Sequence, residues 1–165
     1  EPSYADMQAQ IEMDVPFYVC TLSDKGGFWD FWGWGAQLPI PPLLMRDFRS
    51  GVTDCYACFR DFHRLALGND LPDYPRSPDW WDDDDGVNPF EASFSTAIFH
   101  DVPEEDIQIG DGLLFALKDG VIMHCGVYIG GGLFLHHLHG KISKRDPVVQ
   151  WRRFLRRIVR YRKDQ

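Results

Sequence analysis

The chain reads as an α+β domain in which one helix packs on an antiparallel β-sheet, and three stretches of sequence predict it. From Thr53 to Gly68, the residues Cys55, Cys58, Phe59, Phe62, Leu65 and Ala66 recur at steps of three and four, with Arg60, Asp61 and Arg64 between them. That is the period of a helix with one buried face. From Val121 onward, Val-Ile-Met-His-Cys-Gly-Val-Tyr-Ile leads through Gly130-Gly131-Gly132 into Leu133-Phe134-Leu135-His136-His137, the pattern of a β-hairpin. Near the end, Leu155, Ile158, Val159 and Tyr161 interleave with arginines, as expected of a packed strand with a solvated edge.

Taken in chain order, Glu1 to Met13 suits a short helix and Val15 to Thr21 a strand. Phe28-Trp29-Asp30-Phe31-Trp32-Gly33-Trp34-Gly35 and Pro39-Ile40-Pro41-Pro42 hold too many aromatics for a disordered leader and too many glycines and prolines for regular structure. Residues 1–45 are therefore expected to form an ordered, extended arm, and exposed Trp clusters of this kind mark protein interfaces. Residues 46–165 form the domain proper. Its helix starts with Thr53 or Asp54 as N-cap and stops at Gly68 as the C′ residue. Asp82-Asp83-Asp84-Asp85-Gly86 reads as a solvated loop, because it lacks the spaced ligands and terminal glutamate of a calcium-binding loop. Strands are expected at about 112–117, 121–129, 133–138 and 156–161. At 165 residues and 44% apolar content, the chain can bury one core. No 18-residue apolar run is present, so no membrane span is expected, and the acidic N-terminus lacks the pattern of a secretory signal.

The chemistry-bearing residues fall on the helix and the hairpin. A thiol is a good nucleophile only as thiolate, and a helix N-terminus or a neighbouring imidazole promotes that form. Cys55 lies in the first turn, where unpaired N–H groups and the helix dipole favour an anion and can also serve as an oxyanion hole. An isolated cysteine on a helix face is more often a small core residue, and this segment by itself equally allows that reading for both Cys55 and Cys58. The hairpin supplies the imidazoles. With all three glycines in the loop, His124 and His136 share one face as diagonal neighbours and His137 points away. A two-residue turn would instead put His137 opposite His124.

Several blocks resemble the NlpC-type cell-wall endopeptidases, which are papain-like cysteine peptidases. Asp54-Cys55 is similar to the family's nucleophile motif. His124-Cys125-Gly126-Val127-Tyr128-Ile129-Gly130 is similar to its His-x-Gly-[Ile/Val]-Tyr-[Ile/Leu]-Gly block, and Phe134-Leu135-His136 to the block with the third catalytic residue. Ile109-Gly110-Asp111-Gly112-Leu113-Leu114-Phe115 resembles the Gly-Asp start of the preceding strand. Gly51-Val52-Thr53-Asp54-Cys55-Tyr56, Arg60-Asp61, Leu71-Pro72-Asp73-Tyr74-Pro75-Arg76 with Trp80-Trp81, and His136-His137-Leu138-His139-Gly140-Lys141-Ile142-Ser143 through Arg145-Asp146 resemble a narrower branch. That branch comprises the tail-tip assembly peptidases of long-tailed bacteriophages. The resemblance spans about residues 48–161 and implies a papain-like fold. It implies Cys55 as nucleophile, His124 as general base and later acid, and His136 as the residue that orients His124. It further implies hydrolysis of an amide bond in peptidoglycan stem peptides by a component of the virion tail tip. Such a protein is assembled in the host cytoplasm with other tail-tip proteins and acts at the bacterial cell wall.

One position departs from the pattern. Many members carry a tyrosine upstream of the nucleophile, and here Phe48 stands at the comparable place, leaving Tyr56 or backbone N–H groups to stand in for its hydroxyl. The alternative is a catalytically weak or inactive assembly module with the same fold. Cys20, Cys55, Cys58 and Cys125 are too few for a disulfide framework and read as reduced thiols. Cys55, Cys58, His124 and Cys125 would make a soft metal set, yet the helical period through both members of the Cys-x-x-Cys pair disfavours the tight turn that zinc sites use. No metal and no cofactor are expected. Residues 1–140 carry 7 basic and 23 acidic side chains, whereas 141–165 carry 10 and 2. Arg152, Arg153, Arg156, Arg157, Arg160 and Arg162 alternate with apolar residues, so the strip suits docking to an acidic protein or an anionic wall polymer better than nucleic acid.

Overall fold

A computed structural model describes residues 1–35, 37–76, 93–94, 98–118 and 120–163. The expected acidic loop Asp82–Asp85 and the Trp80-Trp81 block lie outside the described residues. Among the described residues, the central strand β4 (Gly112–Lys118) is buried without interruption from Gly112 to Ala116. That pattern arises when both faces of a central strand are covered. On one side β4 pairs antiparallel with β5 (Val121–Gly130), and on the other with β8 (Leu155–Tyr161). Outward from these lie β6 (Leu133–His136), β7 (Lys144–Pro147) and β3 (Phe99–Asp101), giving the order β3-β8-β4-β5-β6-β7.

Among the described residues the sheet therefore has six strands where four were expected, and β6 stops at His136 instead of reaching residue 138. β3 and β7 carry no strand signature in the sequence because they are short and polar, as edge strands commonly are. They are strands only because β8 and β6 offer them a ladder.

One face of the sheet is covered by α2 (Cys55–Phe62). Here Tyr56, Cys58 and Phe59 meet Leu114, Cys125, Val127, Leu135 and Val159 in one buried cluster. On the other face Leu113, Phe115, Phe134 and Ile158 are covered by Trp151 of the single-turn α3 (Val148–Trp151) and by Phe154. Gly126 is required where β5 and β6 approach, since a Cβ there would sit 2.5 Å from the Phe134 ring and 2.8 Å from the Leu135 carbonyl oxygen.

Asp54 is the N-cap of α2, its Oδ1 accepting the Ala57 N–H at 2.8 Å. After Phe62 the helix widens into a π-turn, His63–Leu67, which closes at Gly68 with φ 67°. The extra residue per turn rotates the buried face, so the single helical stripe drawn through Leu65 and Ala66 is corrected. Leu65 is 58% exposed, whereas His63 is buried with its Nε2 2.8 Å from the Gly110 carbonyl oxygen.

The N-terminal segment is more regular than its composition suggests. A capping box between Ser3 and Asp6 opens α1 (Tyr4–Met13). β1 (Phe17–Leu22) and β2 (Phe28–Trp34) form an antiparallel hairpin, correcting the expectation of irregular structure over the aromatic run. Cross-strand aromatics account for it: Tyr18 stacks on Phe31 at 5.3 Å and Phe17 meets Trp34 edge-on at 5.6 Å. This segment is latched to the loop before α2, where Arg49 pairs with Asp30 at 3.0 Å and lies over the Trp32 ring. Near the other end of the chain, Arg152, Arg157 and Arg160 pair with Glu104, Asp101 and Asp111, so half of the six arginines named from the sequence are neutralised internally.

Candidate active site

The cap of α2 is itself anchored. Asp54 Oδ2 accepts from the Gly51 N–H at 2.9 Å and from Arg76 Nε at 2.8 Å. Arg76, also buried, donates further to Asp73 at 2.9 Å, to the Tyr74 carbonyl at 2.7 Å and to the Gly51 carbonyl at 3.0 Å. Burial works against the Arg76 charge, and the Asp54 and Asp73 carboxylates more than restore it. Cys55 is thereby held at the first helical position, half-buried.

The hairpin reaches its register by a route that the sequence did not reveal. Only Gly131 and Gly132, with φ 62° and 73°, form the turn, because Gly130 pairs with Leu133. That two-residue turn alone would move His136 off the His124 face. A bulge at Ile129 absorbs one residue and restores the parity, so that Gly126 pairs with His136 and His124 lies diagonal to it. The result is the contact expected of the first register: His124 Nε2 lies 2.9 Å from His136 Nδ1. His137 points to the other face, buried, with Nε2 3.0 Å from the Lys141 carbonyl oxygen and its ring edge-on to Phe48.

The electrostatics separate the thiols. Cys55 is pulled down to about 5, first by a hydrogen bond from the Cys125 thiol and then by the hydrogen bond and charge of His124, against burial and the Asp54 charge. Cys58, one turn deeper and fully buried, is pushed up to about 12 by that burial. Cys125 is raised by burial and by the charge beside it. Burial and the charge of His124 lower His136 to about 4, with Asp146 partly opposing them.

A consequence is selective alkylation. Because a lowered acid is ionised above its pKa, Cys55 should react with iodoacetamide at a rate that is flat above about pH 5 and falls roughly tenfold per unit below it. Cys58 should stay unlabelled in the folded protein, and mass spectrometry of labelled peptides checks both; equal labelling would refute the separation.

Three residues of the site were not singled out as such from the sequence. Cys125 appeared only as a possible metal ligand, yet it donates to the Cys55 thiolate. Asp146 Oδ2 lies 3.1 Å from His136 Nε2, and Trp151 lays its ring 4.8 Å from His136 and 5.8 Å from His124. Asp146 falls within a block that resembles the phage branch, but only the ladder between β7 and β6 brings it to His136. The stand-in offered for the missing upstream tyrosine is corrected: the Tyr56 hydroxyl donates to the Pro72 carbonyl at 2.8 Å, and Phe48 packs on His137 and His139. Among the described residues, no group of three or more His, Cys, Asp or Glu is arranged to hold a metal ion, and no helix is long and apolar enough to cross a membrane. A cavity of about 310 Å³ lies between the N-terminal segment and the outer face of α2, and neither Cys55 nor the histidine pair lines it.

A helix-borne cysteine set against an antiparallel sheet that carries a histidine pair places the fold in the papain-like α+β class. The model of the NlpC/P60 family matches residues 31–160, and the chain belongs to that family. It is 35% identical over 162 residues to Tail tip assembly protein K of Escherichia phage lambda, covering 97% of this chain and 75% of that protein. It is 30% identical over 122 residues to Tail tip assembly protein K of Escherichia phage N15, covering 73% of this chain and 50% of that protein. Among solved structures, NlpC2 from Trichomonas vaginalis is similar in fold, with a TM-score of 0.51 at 18% identity over 72% of this chain and 42% of that one.

Proposed function

We propose that this chain is a cysteine endopeptidase that hydrolyses an amide bond in peptidoglycan stem peptides, as a tail-tip component that opens the cell wall locally for a bacteriophage. The observation that carries this reading is the Cys55–His124–His136 alignment, with the thiol at a helix N-terminus and the two imidazoles 2.9 Å apart. Family membership supports the chemistry, and the names of the phage relatives support the location. Bacterial peptidoglycan would be the substrate and other tail-tip proteins the partners, with the segment 1–45 as an accessory arm on the peptidase domain 46–165.

In this mechanism the Cys55 thiolate attacks the amide carbonyl. The oxyanion is received by first-turn N–H groups. Those of Ala57 and Cys58 are engaged by Asp54, which leaves those of Cys55 and Tyr56 as the donors that point out of the helix. His124 then passes the proton to the leaving amine, and water releases the acyl group by the reverse sequence. Incubating the reduced protein with purified peptidoglycan and identifying the new amine and carboxyl termini tests the reading. Phe48, which supplies no hydroxyl, favours the second reading of an assembly module with vestigial chemistry, and a folded protein that releases no fragments would select it.

The two adjacent histidines provide a sharper test. His136→Ala should depress turnover by about 100-fold or more, because His124 loses its partner for orientation and tautomer. His137→Ala should act through stability alone, since its ring is buried on the opposite face. An Asn or Gln at position 136 should keep part of the rate. Turnover per folded molecule, normalised by thermal denaturation, is the measurement, and a greater loss of turnover for His137→Ala would contradict the assignment.

A further inference from the structure

Asp146 sits on β7 opposite Phe134, on the sheet face that carries the histidine pair. Its Oδ2 receives three donors: Lys144 Nζ at 2.8 Å, the Trp151 indole Nε1 at 3.1 Å and His136 Nε2 at 3.1 Å. An ammonium and an indole N–H can only donate, so this oxygen acts as an acceptor and His136 must carry its proton on Nε2. Although burial pushes the Asp146 carboxyl upward, its bonds to Lys144 and His136 hold it below the usual carboxylate range. These two are the titratable groups that face it, one on its own strand and one on β6, while α3 contributes the neutral Trp151.

The rest of the chain of contacts follows. A neutral His136 protonated on Nε2 has a bare Nδ1, which can only accept. His124 therefore donates its Nε2–H across the 2.9 Å contact and presents its bare Nδ1 to Cys55. We propose that Asp146 is a fourth, positioning member of the site, which fixes the tautomer of His136 and through it that of His124, so that the nitrogen facing Cys55 is the one free to take its proton. This rests on the peptidase reading for its catalytic meaning, but the tautomers can be measured without turnover. Outer partners that set a histidine tautomer in this way are typically worth about 10- to 100-fold in activity.

The experiment uses protein labelled with ¹⁵N-histidine, in which imidazole nitrogen shifts report each tautomer. Wild-type His136 should appear as the Nε2–H form at neutral pH, and His124 should keep its Nε2–H whether or not its Nδ1 holds the Cys55 proton; a His136 Nδ1–H form would overturn the proposal outright. Asp146→Ala should mix the tautomers, raise the pH midpoint of Cys55 alkylation and lower kcat by about 10- to 100-fold with little change in KM. Asp146→Asn should restore the tautomer and most of the rate, because Trp151 and Lys144 draw the amide oxygen to the position of Oδ2. A folded Asp146→Ala protein with wild-type tautomers and a wild-type alkylation profile would reduce Asp146 to a structural role. If the wild-type protein cuts no peptidoglycan, the peptidase reading fails and the tautomer measurement still decides this proposal.

Discussion

If the chain is the proposed peptidase, replacing Cys55 with alanine should abolish peptidoglycan cleavage, a loss in turnover on the order of 10⁴-fold or more, while leaving the protein folded. The size follows from the role: without the sulfur no covalent acyl intermediate forms, and the residual rate is what binding and the oxyanion donors supply. The small structural cost follows from position. Cys55 is half-buried at the start of α2, and the cap contacts of Asp54 with Ala57, Gly51 and Arg76 do not involve the thiol. Stability should fall by about 1 kcal/mol or less. Fragment release from purified peptidoglycan measures the first quantity and thermal unfolding the second. Incorporation of the alanine variant into tails should be close to normal. Retained cleavage by a folded Cys55→Ala protein would remove the thiol from the mechanism altogether.

The largest effect on stability is expected from Arg76→Leu. This change leaves the Asp54 carboxylate buried without its guanidinium and deprives the Gly51 and Tyr74 carbonyls of their donor. Removing one partner of a buried pair costs about 3–5 kcal/mol, because the remaining charge keeps its desolvation penalty without its compensation. For a chain of this size that lowers the melting temperature by about 10 °C. The double variant Asp54→Asn with Arg76→Leu should recover part of the loss, and the coupling in that cycle measures the pair. Arg76→Leu should also slow Cys55 alkylation, since the first turn of α2 depends on the Asp54 cap. Additive single and double variants, with alkylation unchanged, would show that the pair does not hold the nucleophile.

The part of this protein that its sequence determined is the part written within single segments. Helical spacing marked α2, Asp54 marked its start and Gly68 the close of the π-turn that continues it, and alternation with glycine marked the β5–β6 hairpin. These are short-range properties: a cap bonds three residues ahead, and a strand shows its two faces by parity. The motif blocks singled out Cys55, His124 and His136, and the structure places His124 against both of the others.

Tertiary structure decided what depends on partners far along the chain. The parity of His136 required a bulge at Ile129 to offset a turn one residue shorter than the three glycines suggested, and ladder bonding with the partner strand selects where such a bulge forms. The π-turn that buries His63 in place of Leu65 is set by the Gly110 carbonyl, 47 residues away. The aromatic run 28–34 became a strand because β1 supplied a pairing ladder and aromatic partners, which outweigh its glycine. Arg76 and Asp146 fall in family-like blocks of the sequence, which give neither residue a partner. Their roles arise when folding desolvates them beside Asp54 and His136, and burial turns a weak solvated charge into one that must be paired.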